Sequence, residues 1–230
     1  MIEDSLKNRA HVVEYDKEIV PSYNEVQEIL QTGYSLVTSK QKGYPYKCFV
    51  LGPNESRSHL LWSICEGNKV KIDEEAFGAT DERYRPNPGL FHIKNAPWTL
   101  IFTPRVAPPN AFHRRAFDDS NSYWQLEDPK YVDRPGQRES TAIEIGMLAK
   151  TITGAAMDRG WECSYNICFL KEPSDWTPRF PFITYTPFLI QTLGKGTKYK
   201  WQTLSAEESA LDTDPPFNEI FQFVDNEFNT

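Results

Sequence analysis

The 230-residue chain has no long apolar run. No segment approaches the roughly 18 consecutive apolar residues that a membrane-spanning helix needs. The opening string MIEDSLKNRA also lacks the charged and then apolar layout of a secretory signal. The sequence therefore predicts a cytoplasmic protein without a membrane partner.

Positive charge is in short supply. The chain has 25 lysine and arginine residues against 32 aspartate and glutamate residues, for a net charge of -7. Nucleic acids and anionic membrane surfaces bind proteins through an excess of basic residues. The charge balance therefore argues against either of them as the main partner. It still allows a locally basic pocket for one phosphate, because net charge does not report on pockets.

Cysteine is scarce, and the four cysteines lack the spacing of a metal site. No CxxC pair occurs, and no histidine stands beside Cys163 and Cys168. We therefore predict reduced, partly buried thiols and no bound metal.

The chain also has no GxSxG, HExxH, P-loop or strand-following GxGxxG motif, and its four histidines are scattered. These absences predict no catalytic triad, so no side chain is assigned as a nucleophile.

The strongest positive signal is the stretch from Glu139 to Cys168. Its apolar residues recur at helical spacing, which predicts an amphipathic helix. Ser140 or Thr141 can cap the start of this central helix, and Gly160 can end it. Glycine and alanine are unusually frequent on it, and such small residues let another backbone approach closely. We expect the helix to pack against a sheet, a partner helix or a flat ligand.

Shorter signals place further elements along the chain. Ser22, followed three residues later by Glu25, predicts a helix with a capping box. We also expect a short helix over 2–9, an extended segment over 11–15, strands over 47–51 and 96–102, a helix from His59 towards Lys69, and strand-like runs over 161–169 and 182–193.

Two stretches stand apart from these elements. The interval from 86 to 135 is rich in proline and aromatic residues, which predicts an ordered excursion over a site or around a partner. The acidic tail from Ser205 carries an apolar pattern that includes Phe217 and Phe221. A free tail would not need those phenylalanines, so we expect it to pack on the body or on another subunit.

The order of elements resembles the nitroreductase family of FMN-dependent oxidoreductases. The string from Arg9 to Tyr15 matches the family's basic segment in its first arginine and its final aromatic residue. The glycines and alanines of the central helix follow the family's pattern most closely. The resemblance covers most of the chain outside an insertion at about 105–138.

A second family signature corresponds to the string from Thr38 to Tyr46. Ser39 and Pro45 match it. The family's asparagine, glutamine and tryptophan are replaced here by Lys42, Tyr44 and Tyr46.

The resemblance implies an α+β fold of three layers, in which helices flank a central antiparallel sheet. It also implies a domain-swapped homodimer of single-domain chains spanning 1–230. The excursion then is an insertion at about 105–138, and a tail at about 205–230 wraps around the partner. The site would lie between the subunits, with the insertion shaping its mouth.

The same resemblance implies FMN as the cofactor. The FMN phosphate needs charge-assisted donors, and arginine offers a bidentate fork. Arg9 takes the position of the family's phosphate-binding arginine. Lys195 and Lys198 stand where the family brings a second basic residue to that phosphate.

The flavin ring has its own implied contacts. His11 and Lys42 replace residues that touch the ribityl chain or the ring in relatives. The backbone at about Ile167 and Cys168 corresponds to the strand that donates an N–H to the ring edge.

The implied activity is a two-electron transfer from NAD(P)H through FMN to a small acceptor such as a nitroaromatic or a quinone. The altered second signature leaves an alternative, a non-catalytic dimer of the same fold with a degenerate flavin site. A third possibility is different flavin chemistry, such as dehalogenation or flavin breakdown.

Overall fold

The computed structural model describes residues 11–39, 42–77, 91–106 and 135–199. In chain order the elements are β1 (Val12–Tyr15), α1 (Tyr23–Ser35), β2 (Tyr46–Leu51), α2 (Glu55–Phe77), α3 (Phe91–Asn95), β3 (Trp98–Pro104), α4 (Pro135–Met157), β4 (Glu162–Asn166), α5 (Pro173–Trp176), β5 (Leu189–Gly194) and β6 (Gly196–Tyr199). The predicted helix over 2–9, residues 107–134 of the predicted insertion, and the tail from 205 lie outside the described residues. Of the helices in the described ranges, none is long and apolar enough to cross a membrane.

Four strands form an antiparallel sheet in the order β2-β3-β5-β4, and β1 pairs separately with β6. Every residue of the inner strand β3 is buried. Alternate residues of a strand point to opposite faces. Leu100 and Phe102 lie in a core with α1 and α4, whereas Ile101 lies in a second core with α2 and α3. Helices therefore cover both faces of the sheet, which confirms the predicted three-layer α+β arrangement.

Local sequence signals located several helix ends correctly. The Ser22 Oγ accepts a hydrogen bond from the Glu25 N–H at 3.3 Å, and Glu25 Oε2 accepts one from the Ser22 N–H at 2.8 Å. This capping box begins α1 as predicted. Gly160, just after α4, has a φ of 78°, a left-handed conformation that glycine adopts without steric cost.

Other predicted boundaries were wrong. The helix α4 begins at Pro135, so neither Ser140 nor Thr141 caps it, and Thr141 is buried within the helix. Proline suits the first turn of a helix because the N–H it lacks would find no partner there. The run predicted as a strand over 182–193 pairs in the sheet only from Leu189 onward.

The close helix contact expected from small residues is made by Gly33 of α1. A Cβ atom at Gly33 would lie 2.6 Å from Ile152 Cγ1 and 3.0 Å from the Ile152 backbone. The Thr151 hydroxyl also donates to the Gly33 carbonyl at 3.0 Å. By contrast, a Cβ atom at Gly146 of α4 would meet no described atom within 4 Å. The close approach of α1 to α4 therefore depends on the glycine of α1.

We expect Gly33→Ala to destabilise the protein by about 1–3 kcal/mol, because overpacking against Ile152 outweighs the better helix propensity of alanine. Gly146→Ala is the matched control: within one chain its added methyl group meets no described atom, so this variant should not share the destabilisation. Urea unfolding of the two variants and the wild type measures both effects. Stabilisation by both substitutions would contradict the contact at Gly33.

Candidate functional site

Polar residues of β4 hold the β1–β6 pair against the sheet. The Ser164 hydroxyl donates to the Val12 carbonyl at 2.9 Å. The Glu162 carboxylate accepts from the Gly196 N–H at 2.7 Å and from the Tyr199 hydroxyl at 2.8 Å. Since residues two apart on a strand share a face, these bonds lie on the same side of β4. Lys195 and Lys198, two of the residues predicted to bind the FMN phosphate, lie on or beside this strand pair.

Three of the predicted site residues lie on or beside the β1–β6 pair. His11 directly precedes β1, and Lys198 of β6 stands opposite Glu14. Lys195 lies between β5 and β6, at the other end of β1 from His11. The 4 residues of β1 span roughly 13 Å, so the structure does not bring Lys195 to His11. Both lysines are exposed, and Arg9 lies outside the described residues.

A buried polar cluster underlies β1. The Thr192 hydroxyl lies 2.9 Å from the Tyr15 hydroxyl and 2.8 Å from His92 Nδ1. The ring of His11 meets the ring of His92 edge to face, with their centroids 5.3 Å apart. Burial, followed by the charge of nearby His11, lowers the pKa of His92 to about 3. Burial also raises the pKa of Tyr15 well above its ordinary value. Both groups are therefore neutral at physiological pH.

The predicted ring-edge residues Ile167 and Cys168 follow the end of β4. The Cys168 N–H donates to Asn166 Oδ1 at 2.9 Å, and Asn166 Nδ2 donates back to the Cys168 carbonyl at 3.0 Å. The Cys168 N–H is therefore engaged within the chain, whereas Ile167 is 62% exposed. Of the two predicted positions, Ile167 is the exposed residue, and no hydrogen bond among the described residues uses its N–H.

Sequence reasoning missed Asn166 and Lys171. The Lys171 ammonium donates to the Ile167 carbonyl at 2.8 Å and lies 3.8 Å from the centroid of the Phe169 ring. Desolvation by burial lowers the pKa of Lys171. An asparagine that bonds the backbone two residues onward is a known turn-forming signal, so Asn166 was accessible to sequence reasoning. No comparable pattern in the neighbouring sequence indicated that Lys171 would bond the Ile167 carbonyl.

Lys42 lies at a different part of the sheet. It precedes β2, and β3 and β5 separate β2 from β4. Three strand spacings correspond to roughly 14 Å. Within one chain, the strand that follows Lys42 is therefore well separated from the strand that precedes Cys168.

The loop before β2 has a strained backbone that is held by hydrogen bonds. Lys42 and Tyr44 have φ values of 51° and 44°, which residues with a side chain rarely adopt. The Tyr44 N–H donates to the Ser39 hydroxyl at 2.7 Å, and Arg105 Nε donates to the Tyr44 carbonyl at 2.7 Å. Such strain persists only where the surroundings hold it, and these bonds do so here.

An open groove of about 740 Å³ lies between this loop, β2 and the helices α1 and α4. Its lining is largely aromatic and aliphatic and includes Leu30, Tyr34, Tyr44, Tyr46, Val50, Leu148 and Ile152. The Tyr46 hydroxyl is buried without a hydrogen-bond partner among the described residues, and burial raises its pKa to about 12. In the described sheet β2 is an edge strand, paired only with β3. As far as the described residues go, the groove and the strand edge are available to another chain segment.

No protein-family model and no curated protein sequence matches the chain. Solved structures match it in fold. A nitroreductase family protein from Streptococcus pneumoniae TIGR4 is 13% identical, with a TM-score of 0.61 over 97% of this chain and 100% of that one. An NAD(P)H:FMN oxidoreductase-type protein from Staphylococcus epidermidis ATCC 12228 is 14% identical, with a TM-score of 0.63 over 97% of this chain and 96% of that one.

A nitroreductase-type protein from Exiguobacterium sibiricum 255-15, solved in complex with FMN, matches in the same way. It is 14% identical, with a TM-score of 0.61 over 97% of each chain. At such low identity these similarities establish the fold. The chain has the nitroreductase fold, as the sequence resemblance implied.

The buried His92 predicts an acid-sensitive stability. Its pKa is lower in the folded chain than the ordinary value of about 6.5, so the unfolded chain binds more protons below that pH. The stability due to neutral His92 is complete above about pH 6.5 and is lost as the pH falls towards about 3. In this range the free energy of unfolding falls by up to about 1.4 kcal/mol for each pH unit.

Urea unfolding between about pH 4 and pH 7 should therefore show a shallower pH dependence for His92→Gln than for the wild type. The exposed His59 supplies the matched histidine control, and the His59→Gln variant is measured beside the other two proteins. Parallel slopes for the wild type and His92→Gln would contradict a neutral, buried His92.

Proposed function

We propose that this chain, which has the nitroreductase fold, is an FMN-dependent oxidoreductase. It would take two electrons from NAD(P)H and pass them to a small acceptor such as a nitroaromatic or a quinone, in the cytoplasm. The observation that carries the proposal is the similarity of fold over 97% of the chain to a protein solved with FMN. The absence of a hydrolase motif agrees with a reaction that needs no side-chain nucleophile.

The described residues fit a flavin at two places. The Ile167 N–H, which no hydrogen bond among the described residues uses, is the proposed donor to the edge of the flavin ring. Lys198 and His11 offer donors on the β1–β6 pair for the ribityl phosphate arm, and Arg9 and Lys195 are the further proposed phosphate ligands. When bound, FMN would supply the N5 atom that accepts and passes on a hydride.

A second copy of the chain completes this proposed site. The strand β2, which Lys42 precedes, lies roughly 14 Å across the sheet from β4, and this separation supports a site that Lys42 enters from the partner subunit. On the outer face of α4, Ile143 is 66% exposed and Met147 is 49% exposed, beside the open position at Gly146. These apolar residues and the groove along β2 support a homodimer in which the tail at 205–230 crosses to the partner.

One observation favours the non-catalytic alternative. The Cys168 N–H, one of the two predicted ring-edge donors, is engaged by Asn166. In a protein that no longer binds flavin, neither backbone N–H would have to remain available for the flavin ring. In that case the protein would act as a binding or structural dimer of the same fold.

Purified protein incubated with FMN decides between the two functions. Bound FMN should give a yellow protein whose flavin band bleaches on addition of NADH or NADPH and returns with a quinone or a nitroaromatic. A colourless protein that does not quench flavin fluorescence would overturn the enzymatic function. Bound flavin that NAD(P)H does not reduce would point to different flavin chemistry.

Arg9→Ala tests the proposed phosphate ligand. It should weaken FMN binding by about 1.5–3 kcal/mol, the range for a hydrogen bond to a charged group. Riboflavin lacks the phosphate, so its affinity should change far less. Flavin fluorescence titrations measure both constants, and equal losses for the two ligands would show that Arg9 acts through folding instead.

Truncation after Ala210 tests the proposed role of the tail. Removing Phe217 and Phe221 should lower the melting temperature and shift the chain towards monomer, because burial of each such side chain contributes roughly 1.5–3 kcal/mol. Sedimentation velocity at micromolar concentration reports the oligomeric state. A less stable truncated protein that remains dimeric would place the tail on its own subunit.

A further inference from the structure

We propose that Asn166 is a positioning residue that fixes the turn 166–168 so that the Ile167 N–H, and not the Cys168 N–H, faces the flavin ring edge. This inference rests on the proposed FMN-dependent function and deepens it. It names the donor at the site and the side chain that aims the donor.

The first support is a closed pair of hydrogen bonds. The side-chain amide of Asn166 accepts from the Cys168 N–H at 2.9 Å and donates to the Cys168 carbonyl at 3.0 Å. Both backbone polar groups of Cys168 are therefore used inside the turn. A donor already bonded in this way would have to give up its partner before it could bond a ligand.

The second support is the link from Asn166 to the opposite layer. Asn166 Nδ2 also lies 3.1 Å from the Sγ atom of Cys65, a fully buried residue of α2. Burial raises the pKa of Cys65, so its thiol remains neutral. Asn166 is itself only 7% exposed. Asn166 thus anchors the turn to a buried residue of α2.

The third support is the state of Ile167. The Lys171 ammonium donates to its carbonyl at 2.8 Å. No hydrogen bond among the described residues uses its N–H, and the residue is 62% exposed. The turn therefore leaves the Ile167 N–H as a donor that no hydrogen bond among the described residues uses, between the bonds made by Asn166 and Lys171. An oriented donor of this kind is what a flavin ring edge requires.

Asn166→Ala tests the inference, with flavin fluorescence titration and the midpoint potential as readouts. It should weaken FMN and riboflavin binding by the same factor, about tenfold, because the ring edge is common to both ligands. The midpoint potential of bound FMN should shift by about 30 mV for each tenfold difference between the loss of affinity for oxidised flavin and the loss of affinity for reduced flavin. Lys171→Met keeps the stem and should give a smaller effect in the same sense.

Asn54→Ala is the matched control. Asn54 also bonds a nearby backbone group, since its Oδ1 accepts from the Arg57 N–H at 2.9 Å, but it lies at the start of α2. This variant should leave both affinities and the potential at wild-type values. It controls for the loss of a local asparagine bond that lies away from the site.

The outcomes separate this inference from the proposed function. A wild type that binds no flavin overturns both. A flavin-binding wild type with unchanged affinity and potential in folded Asn166→Ala overturns only the role of Asn166. Tighter flavin binding by Asn166→Ala overturns the assignment of the donor, because it would show that the freed Cys168 N–H bonds the ring.

Discussion

The hydroxyl of Thr192 joins the parts of this protein on which the candidate site depends. Thr192 lies on β5, inside the sheet, and is fully buried. Its Oγ1 atom contacts the Tyr15 hydroxyl of β1 and Nδ1 of His92 on α3, and it lies 3.4 Å from the Ser164 carbonyl of β4. Buried polar groups are costly unless they are paired, so this one hydroxyl keeps three elements in register.

The strand β4 holds the segments that carry the proposed flavin contacts. Its residues Glu162, Ser164 and Asn166 share one face because the side-chain period of a strand is two. Glu162 holds β6, Ser164 holds β1, and Asn166 holds the turn that follows. Since all three side chains stand on one strand, the proposed phosphate and ring contacts are positioned by a single rigid element. Sites built on regular elements in this way are more sharply defined than sites on loops.

Within a single chain the predicted contacts fall into two groups on opposite edges of the sheet. His11, Lys198 and Ile167 lie on the side of β4, whereas Lys42 stands before β2. The strained loop that carries Lys42 is held by the bonds of Ser39 and Arg105 to Tyr44. In the dimer proposed above, each of these two groups would belong to a site shared with the opposite subunit, which would give the strained loop a role.

Local chemistry in the sequence determined the elements themselves. The capping box at Ser22, the left-handed stop at Gly160 and the apolar strand β3 each depend on residues close together in the chain, so they were predictable without a structure. The family resemblance also implied the layered fold. The start of α4 was missed because Pro135 lies in a stretch whose composition pointed to an excursion.

Tertiary structure alone decided which of these residues meet. Nothing near Gly33 in the sequence indicates that Ile152 will lie against it. The sharing of the Thr192 hydroxyl by Tyr15 and His92 likewise depends on strand order and register. Helix caps and strand periodicity are properties of neighbouring residues, whereas close packing and buried hydrogen bonds are settled by segments far apart in the chain.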